Sequence, residues 1–264
     1  MDPRDPSHPV CTACRDGEGL DFDFTMAFQP IVDVRERTVF AYEALVRGLN
    51  GEGALEILGR VNDRNKYAFD QACRVKAVER AASVGIDCYV SINFLPNAIY
   101  EAANCIRATL HAARKFGFPV NKLLFEMTER ETLLDPAHLR SISKEYQKQG
   151  FKTAIDDYGA GYAGLTLLAD FQPDIVKLDM SLARHIDRDP VRQAIVRGVI
   201  VTMAALDIEV IAEGVENEAE CEWLMGVGIH LFQGHLFARP QVGPLPIVAW
   251  PVCVLPGGTG SPTP

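Results

Sequence analysis

Short apolar runs alternate with longer amphipathic stretches along most of this chain. Several short runs are apolar at almost every position, which is typical of strands that are buried on both faces. The longer stretches predict helices, because Tyr67–Val84 and Ala98–Phe116 carry apolar residues at three- and four-residue spacing. Asp135-Pro136 and Asp189-Pro190 predict helix starts, with Asp as the cap and Pro in the first turn. The predicted strands are Thr25–Asp33, Thr38–Val46, Cys88–Phe94, Lys122–Met127, Phe151–Asp156, Asp174–Lys177, Glu209–Glu213 and His230–Gln233.

Eight strands with crossover helices in about 220 residues predict an α/β fold of the (β/α)₈ barrel type. An open, doubly wound sheet is the competing architecture. Only Val34–Arg37 separate the first two strands, which is too short for a parallel crossover, so this pair should be an antiparallel hairpin. The proline-rich stretch after the last strand predicts that the closing helix is short or missing.

The two ends of the chain differ in composition from the part between them. Residues 1–23 are polar and rich in Asp and Pro, which predicts a flexible arm, and residues 251–264 predict a disordered tail. Residues 24–250 are then the barrel. Cys11 and Cys14 form a C-x-x-C pair with His8 nearby. Because the sequence offers no fourth zinc ligand there, we interpret the two cysteines as free thiols.

The composition limits the classes of function. The 264 residues are 48% hydrophobic and 23% charged, as in ordinary globular proteins, and the net charge is −9. No run of Lys and Arg resembles a phosphate-tracking stripe, so duplex nucleic acid is not an expected partner. We find no signal-peptide pattern, and the most apolar region, residues 195–212, contains too many charges to span a bilayer. Seven cysteines without a regular framework favour reduced thiols and a cytoplasmic location.

Polar residues lie at the ends of most predicted strands. The carboxyl ends of parallel strands meet at one mouth of a barrel, where so many carboxylates would repel one another unless cations lay between them. Oxygen donors suit Mg²⁺, Mn²⁺ or Ca²⁺ better than zinc or copper. Two adjacent aspartates can share a pair of ions about 4 Å apart, an arrangement suited to displacement at phosphorus. A lysine there could orient water or neutralise phosphoryl charge. The polar residues at or near the ends of the predicted strands are Glu43, Asn93, Glu126, Asp156, Asp157, Lys177, Glu213 and Gln233.

Several of these residues also have an ordinary structural interpretation. Asn93 alternatively caps the helix that follows its strand. Lys177 alternatively forms a structural ion pair with Asp174 or Asp179. Ordinary interpretations also exist for Arg47 (a surface ion pair), Gly159 and Gly161 (a turn), Tyr158 (packing rather than stacking on a base) and His230 and His235 (structural roles).

The string YEALVR at residues 42–47 resembles the signature of the EAL-domain family of cyclic di-GMP phosphodiesterases. The resemblance covers roughly residues 24–242 in the family's order. Its other motifs are FQPIVD at 28–33, FEMTE at 125–129, IDDYGAGYAGL at 155–165, PDIVKLD at 173–179, IAEGVE at 211–216 and FQGH at 232–235.

The resemblance implies a modified TIM barrel with an antiparallel first strand pair, and hydrolysis of cyclic di-GMP to linear pGpG. It implies two Mg²⁺ or Mn²⁺ ions as cofactors, and we expect Ca²⁺ to inhibit. Lys177 would contact the attacking water, with Glu213 as a possible base and Asp157 also in the catalytic set. The implied ligands of the first ion are Glu43, Asn93, Glu126 and Asp156, and those of the second are Asp156, Asp157 and Glu213.

The resemblance also implies residues around this centre. Gln29, Leu45, Arg47 and Gln233 would contact the dinucleotide. Glu129, Asp179 and Glu216 would support the ligands, with Glu129 holding the loop after Asp157. The chain departs from the family pattern where Phe94 and Leu95 follow Asn93, at Ala160, and at His235. None of these departures removes an implied ligand.

The expected partners follow from the same resemblance. We expect a homodimer that pairs through the region after the two aspartates, where the apolar residues are Leu165, Leu167, Leu168 and Phe171. The alternative is that these residues pack in the barrel core. Fused or separate sensor or GGDEF domains are further possible partners. Two other functions remain open, namely a receptor that binds cyclic di-GMP without cleaving it and a phosphodiesterase for another cyclic dinucleotide.

Overall fold

The structure is a computed structural model that describes residues 19–96, 105–128, 136–161 and 164–252. Most of the predicted arm and tail lie outside these residues, as do Cys11, Cys14, Glu129, Asp135 and the start of the helix predicted from Ala98. The described chain contains no helix that is both long and apolar enough to cross a bilayer.

Strands and helices alternate in the described chain. The strands are β1 (Thr25–Asp33), β2 (Thr38–Arg47), β3 (Tyr89–Asn93), β4 (Leu123–Thr128), β5 (Lys152–Tyr158), β6 (Ile175–Leu178), β7 (Glu209–Ala212), β8 (Leu231–Phe232) and β9 (Gln241–Val242). The α-helices are α1 (Ala54–Leu58), α2 (Lys66–Ser83), α3 (Arg107–Phe116), α4 (Pro136–Lys148), α5 (Gly164–Asp170), α6 (Met180–Ala183), α7 (Pro190–Ala205) and α8 (Glu218–Gly226). The predicted cap of α7 is confirmed, since Asp189 accepts hydrogen bonds from the backbone N–H groups of Val191 and Arg192.

The sheet closes into a barrel, which confirms the predicted fold and excludes the open sheet. Strands β2 to β8 are parallel neighbours in chain order. β1 completes the ring because it pairs antiparallel with both β2 and β8. The hairpin register runs from Thr25 opposite Arg47 to Asp33 opposite Thr38. The start of β1 therefore lies at the mouth, beside the carboxyl end of β2.

The strand β9 is absent from the sequence prediction. It pairs antiparallel with Ala27 and Phe28 on the mouth side of β1, where the short β8 no longer reaches. Residues 233–252 contain no α-helix, in agreement with the predicted short or missing closing helix over the part that is described.

Candidate active site

The side chains that point into the barrel form two layers, and the candidate functional side chains form the upper layer, nearer the mouth. The lower layer consists of aliphatic side chains that are at most 2% exposed. Because side chains two positions apart in a strand point to the same face, the next inward position towards the mouth is two residues away. Seven pairs of an apolar residue and the polar residue above it follow this rule: Ile31 and Gln29, Ala41 and Glu43, Leu124 and Glu126, Ala154 and Asp156, Ile175 and Lys177, Ile211 and Glu213, Leu231 and Gln233.

Asp157 reaches the site because β5 contains a bulge. Strict alternation would point the side chains of Asp156 and Asp157 to opposite faces. The register between β5 and β6 shifts between Ile155 and Tyr158, and Asp157 has a φ of 57°. A bulge re-aims side chains, and Asp is among the residues that tolerate this left-handed conformation. Thr128 Oγ1 donates to Asp157 Oδ2 at 3.3 Å, a contact that the sequence analysis missed.

Lys177 lies at the centre of the acidic residues. Its Nζ is 2.8 Å from Glu213, 3.0 Å from Glu126, 3.0 Å from Asp156 and 3.4 Å from Glu43, and its side chain is fully buried. Burial alone disfavours the charged ammonium. The four carboxylates outweigh that effect and hold the pKa of Lys177 well above its ordinary value. Lys177 is therefore a buried cation that joins side chains from β2, β4, β5 and the end of β7.

The carboxylates form two groups that share Asp156. One group contains Glu43, Glu126 and Asp156, and the other contains Asp156, Asp157 and Glu213. Within each group the ligand oxygens lie within 4.8 Å of one another. Asn93 joins the first group, since its Nδ2 donates to Glu43 Oε1 at 2.9 Å. The structure thus brings together all the predicted ligand residues, in the predicted grouping.

This arrangement fits divalent cations. Five carboxylates and one ammonium carry a formal net charge of −4, which two divalent ions would balance. Burial, together with the charges of Glu43 and Asp156, raises the pKa of Glu126 to about 8 despite the opposing effect of Lys177. Burial likewise raises the pKa of Glu213 well above its ordinary value. Without cations the cluster therefore relieves repulsion by holding protons. All its donors are oxygens, the set that Mg²⁺, Mn²⁺ and Ca²⁺ prefer.

Two buried glutamines pack against the first group. Gln233 Nε2 donates to Glu43 Oε2 at 2.7 Å and to Gln29 Oε1 at 3.3 Å. Gln29 Nε2 donates to the carbonyl oxygen of Ala238 at 3.2 Å, which ties β1 to the segment before β9. The two glutamines, which were predicted to contact the substrate, therefore also help to orient the carboxylate of Glu43.

Leu45 and Arg47 continue the inward-facing positions of β2 above Glu43, and both are half-buried. Arg47 Nη1 donates to the carbonyl oxygen of Val46 at 2.7 Å. These two side chains are therefore at the rim of the mouth, where a molecule entering the barrel would pass them first.

Two of the predicted supporting residues, Asp179 and Glu216, lie in the described part of the chain. Asp179 is buried and caps α6, and its backbone N–H donates to Tyr158 O at 3.1 Å, next to the two aspartates. The side chain of Glu216 is 48% exposed and forms an ion pair with Arg184 at 2.8 Å. Glu129 lies outside the described residues.

The structure decides two of the ordinary interpretations. The alternative pairing of Lys177 with Asp174 or Asp179 is not observed, because the ion pairs of Lys177 Nζ are with the four carboxylates of the cluster. Tyr158 is 5% exposed, which favours packing over base stacking. His230 lies 3.5 Å from Glu209 and 3.9 Å from Asp33, at the end of the barrel opposite the mouth.

A close backbone contact joins the ends of the last two strands. Gly234 packs so tightly against the backbone of Val215 that a Cβ atom there would overlap it. Val215 N–H donates to Gln233 O at 3.2 Å, and Leu236 N–H donates to Val215 O at 3.1 Å. Only glycine fits this position, which holds Gln233 beside the loop that carries Glu213. Gly234 belongs to the motif FQGH at residues 232–235, but the sequence alone does not indicate this close backbone contact.

Most of the apolar residues named for the dimer interface lie in the core. Leu167, Leu168 and Phe171 are 6%, 4% and 4% exposed, so for them the alternative of core packing is correct. Only Leu165, at 72% exposure, remains available at the surface. Apolar spacing in a short helix does not distinguish a face against the barrel from a face towards a partner.

Comparison with known proteins gives consistent matches. The sequence profile of the EAL domain matches residues 19–240. The chain is 36% identical over 229 residues to the probable cyclic di-GMP phosphodiesterase PdeD of Escherichia coli K12, covering 83% of this chain and 42% of PdeD. It is 32% identical over 226 residues to the blue light- and temperature-regulated antirepressor BluF of the same organism, covering 85% of this chain and 56% of BluF. The chain thus spans about half the length of these curated relatives.

Solved structures match over most of this chain. A standalone versatile EAL protein from Vibrio cholerae O395, in its c-di-GMP bound form, has a TM-score of 0.85 and 53% identity, covering 88% of this chain and 98% of that one. BlrP1 of Klebsiella pneumoniae, in a complex with calcium and cyclic di-GMP, has a TM-score of 0.82 and 36% identity, covering 87% of this chain and 58% of BlrP1. A manganese complex of BlrP1 with cyclic di-GMP matches with a TM-score of 0.79 and 34% identity.

Proposed function

Because the chain belongs to the EAL-domain family, we propose that it is a divalent-metal-dependent phosphodiesterase that hydrolyses cyclic di-GMP to linear pGpG. The observation that carries this proposal is the pair of carboxylate groups that share Asp156 beside the buried Lys177. A site with this charge is suited to an anionic substrate only when cations are bound. The names of PdeD and of the cyclic di-GMP complexes above support the choice of substrate.

The proposed cofactors are two Mg²⁺ or Mn²⁺ ions. Glu43, Asn93, Glu126 and Asp156 would hold one, and Asp156, Asp157 and Glu213 the other. When bound, such ions neutralise phosphoryl charge and lower the pKa of a coordinated water. We propose that Ca²⁺ occupies the same site but supports little hydrolysis, because it prefers longer bonds of ~2.3–2.6 Å and more ligands.

The residues of the chain have separate roles in this proposal. Water adds to one phosphodiester and one P–O bond breaks, which opens the ring to linear pGpG without another product. Lys177 directs the water and stabilises charge on the phosphoryl oxygens. Glu213 accepts one proton of the water, and the leaving ribose oxygen takes up one proton as its bond to phosphorus breaks. Arg47 at the rim binds a phosphate through a charge-assisted hydrogen bond, and Leu45, Gln29 and Gln233 form the adjoining surface.

The test is product analysis by chromatography after incubation of the protein with cyclic di-GMP in EDTA, Mg²⁺, Mn²⁺ or Ca²⁺. We expect linear pGpG with Mg²⁺ and Mn²⁺, and little or none with Ca²⁺ or EDTA. Glu43→Gln and Asp157→Asn should each lower turnover, through the first and second groups respectively. Undiminished hydrolysis in EDTA, or by both variants with Mg²⁺, would refute the two-metal proposal. Preferential cleavage of another cyclic dinucleotide would change the substrate.

A receptor is the second candidate function, since BluF, a relative at 32% identity, is named an antirepressor. Tight binding of cyclic di-GMP by this chain without cleavage under any metal condition would favour that role.

A further inference from the structure

A buried ion pair on α2 lies outside the barrel interior and has no part in the proposed chemistry. Arg74 Nη2 lies 2.7 Å from Asp70 Oδ2, one helical turn apart, and both side chains are 2% exposed. An i, i+4 pair of opposite charge usually faces solvent and stabilises its helix only slightly. This pair is instead buried.

Burial of two charges needs a reason other than stability. Each ion loses its favourable hydration when it is buried, and apolar residues of similar volume often replace such a pair without loss of stability. The best-supported use of a buried ion pair is to specify one arrangement of the groups around it.

The remaining hydrogen bonds of the pair fix the chain that follows β3. Asp70 Oδ1 accepts from the backbone N–H of Leu95 at 3.0 Å. Arg74 Nη1 donates to the carbonyl oxygen of Cys105 at 3.2 Å. The pair therefore holds two points of the same connection, one directly after β3 and one just before α3.

The held residue, Leu95, is two positions after Asn93. Between them, Phe94 N–H donates to Glu126 O at 2.9 Å, and the Phe94 side chain is buried. Asn93 itself is exposed, so packing does not fix its side chain. Its direction depends on the backbone at residues 93–95, which is tied on one side to β4 and on the other to Asp70. Its Nδ2 bond to Glu43 leaves the carboxamide oxygen for another partner.

We propose that the Asp70–Arg74 pair is a positioning device that holds the end of β3 so that the Asn93 carboxamide joins the first carboxylate group. This inference rests on the proposed function, because it takes Asn93 as a ligand of a divalent ion. The pair acts through Asn93 and touches neither ion nor substrate.

The experiment measures Mn²⁺ affinity by electron paramagnetic resonance of the free ion, without substrate. It compares the parent, Asn93→Ala, the double variant Asp70→Leu/Arg74→Met and the triple variant. The double variant removes both charges together, so that neither is left buried and unpaired. Lys76→Met is the matched control, since Lys76 lies on the same helix and pairs with Asp23 instead. Thermal unfolding in EDTA reports stability separately.

We expect the double variant to weaken Mn²⁺ binding about tenfold or more, as loss of groups that orient metal ligands commonly does. In the Asn93→Ala background the same double substitution should have no further effect, because the residue it positions is gone. Lys76→Met should bind Mn²⁺ like the parent. Unchanged Mn²⁺ affinity in the folded double variant, or an equal loss with and without Asn93, would overturn the inference.

Two outcomes distinguish this inference from the proposed function. If Asn93→Ala binds Mn²⁺ as tightly as the parent, Asn93 is not a ligand, and this inference fails while the proposed hydrolysis still stands or falls by its own product analysis. If Asn93→Ala binds weakly but the double variant does not, only the positioning role fails. Should the double variant not fold, Asp70→Glu replaces it, because one added methylene moves the carboxylate away from Leu95 N–H and keeps the charge on Arg74 paired. Parent-like Mn²⁺ affinity in Asp70→Glu would then overturn the inference.

Discussion

Replacement of Lys177 by methionine tests whether this residue holds the acidic cluster together when divalent ions are removed by EDTA. Methionine is of similar length but has neither charge nor donor. The substitution removes ion pairs to Glu213, Glu126, Asp156 and Glu43 in a fully buried position. The four carboxylates then face one another without any cation.

Loss of one partner from a buried ion pair costs ~3–5 kcal/mol. Four carboxylates depend on Lys177, yet their losses do not add, because carboxylates in this cluster can take up protons. Because burial raises the pKa of Glu126 to about 8, the protonated form of this carboxyl is favoured at neutral pH. We therefore expect Lys177→Met to lower the free energy of unfolding by ~3–5 kcal/mol in EDTA, a large part of the ~5–15 kcal/mol of an ordinary domain.

Divalent ions should compensate for most of this loss. With saturating Mg²⁺ the carboxylates again have cationic partners, so the difference in unfolding free energy between variant and parent should shrink. Turnover of cyclic di-GMP should stay low, since no other residue replaces the lysine beside the water. Stability and activity are thus predicted to respond differently to the same ion.

Urea unfolding followed by circular dichroism, in EDTA and in Mg²⁺, measures both differences. Lys152→Met is the control, because Lys152 is partly exposed and lies 3.8 Å from Asp174. Loss of a surface pair of this kind should lower the free energy of unfolding by less than ~1 kcal/mol, with or without Mg²⁺. Equal stability of Lys177→Met and parent in EDTA would refute the reasoning, as would a loss that Mg²⁺ does not change.

Four further predictions follow from single positions. Arg47→Ala should weaken substrate binding by ~1.5–3 kcal/mol, seen as a raised KM with kcat largely kept; an unchanged KM would exclude the phosphate contact. The free energy of unfolding of Asp157→Val should be ~1–2 kcal/mol lower than that of Asp157→Asn, because β-branched residues disfavour the positive φ at this position. Urea unfolding in EDTA measures the difference, and equal stability of the two variants would contradict the prediction. Gly234→Ala should displace the Val215 backbone and lower turnover together with melting temperature, whereas parent-like values for both would show that the contact relaxes freely. Leu165→Asp should convert a homodimer to monomer in light scattering, and a monomeric parent would remove the dimer from consideration.

The upper, polar layer of the site was predictable because it depends on residue spacing within each strand. Glu43, Glu126 and Lys177 each lie two residues after an inward aliphatic residue on a strand that the sequence shows clearly. A period of two then determines the face, and parallel pairing brings the strand ends to one mouth. The first strand is antiparallel, so Gln29 precedes its apolar partner Ile31. The short connection between the first two strands had already predicted that this strand pair is antiparallel.

Other features depend on contacts that the local sequence does not encode. The alternation rule separates Asp156 from Asp157, and the bulge that reunites them is set by the register against β6. β9 is two residues long and exists only because β8 stops short beside β1. An i, i+4 Asp–Arg pair has the same sequence pattern whether it faces water or, as at Asp70 and Arg74, the interior.

The two interior layers also link stability to metal binding. The aliphatic layer beneath the carboxylates keeps water away, which strengthens every charge interaction above it. In EDTA this strengthens the repulsion among the carboxylates, which the single ammonium of Lys177 only partly offsets. Divalent ions that bind the folded barrel and not the unfolded chain must then stabilise the fold by RT ln(1 + [L]/Kd), about 2.7 kcal/mol at a hundredfold excess over Kd. The charge that the proposed metal-dependent reaction requires is therefore the charge that lowers the stability of the barrel in EDTA. We expect Mg²⁺ to raise the unfolding temperature of the parent more than that of Asp157→Asn.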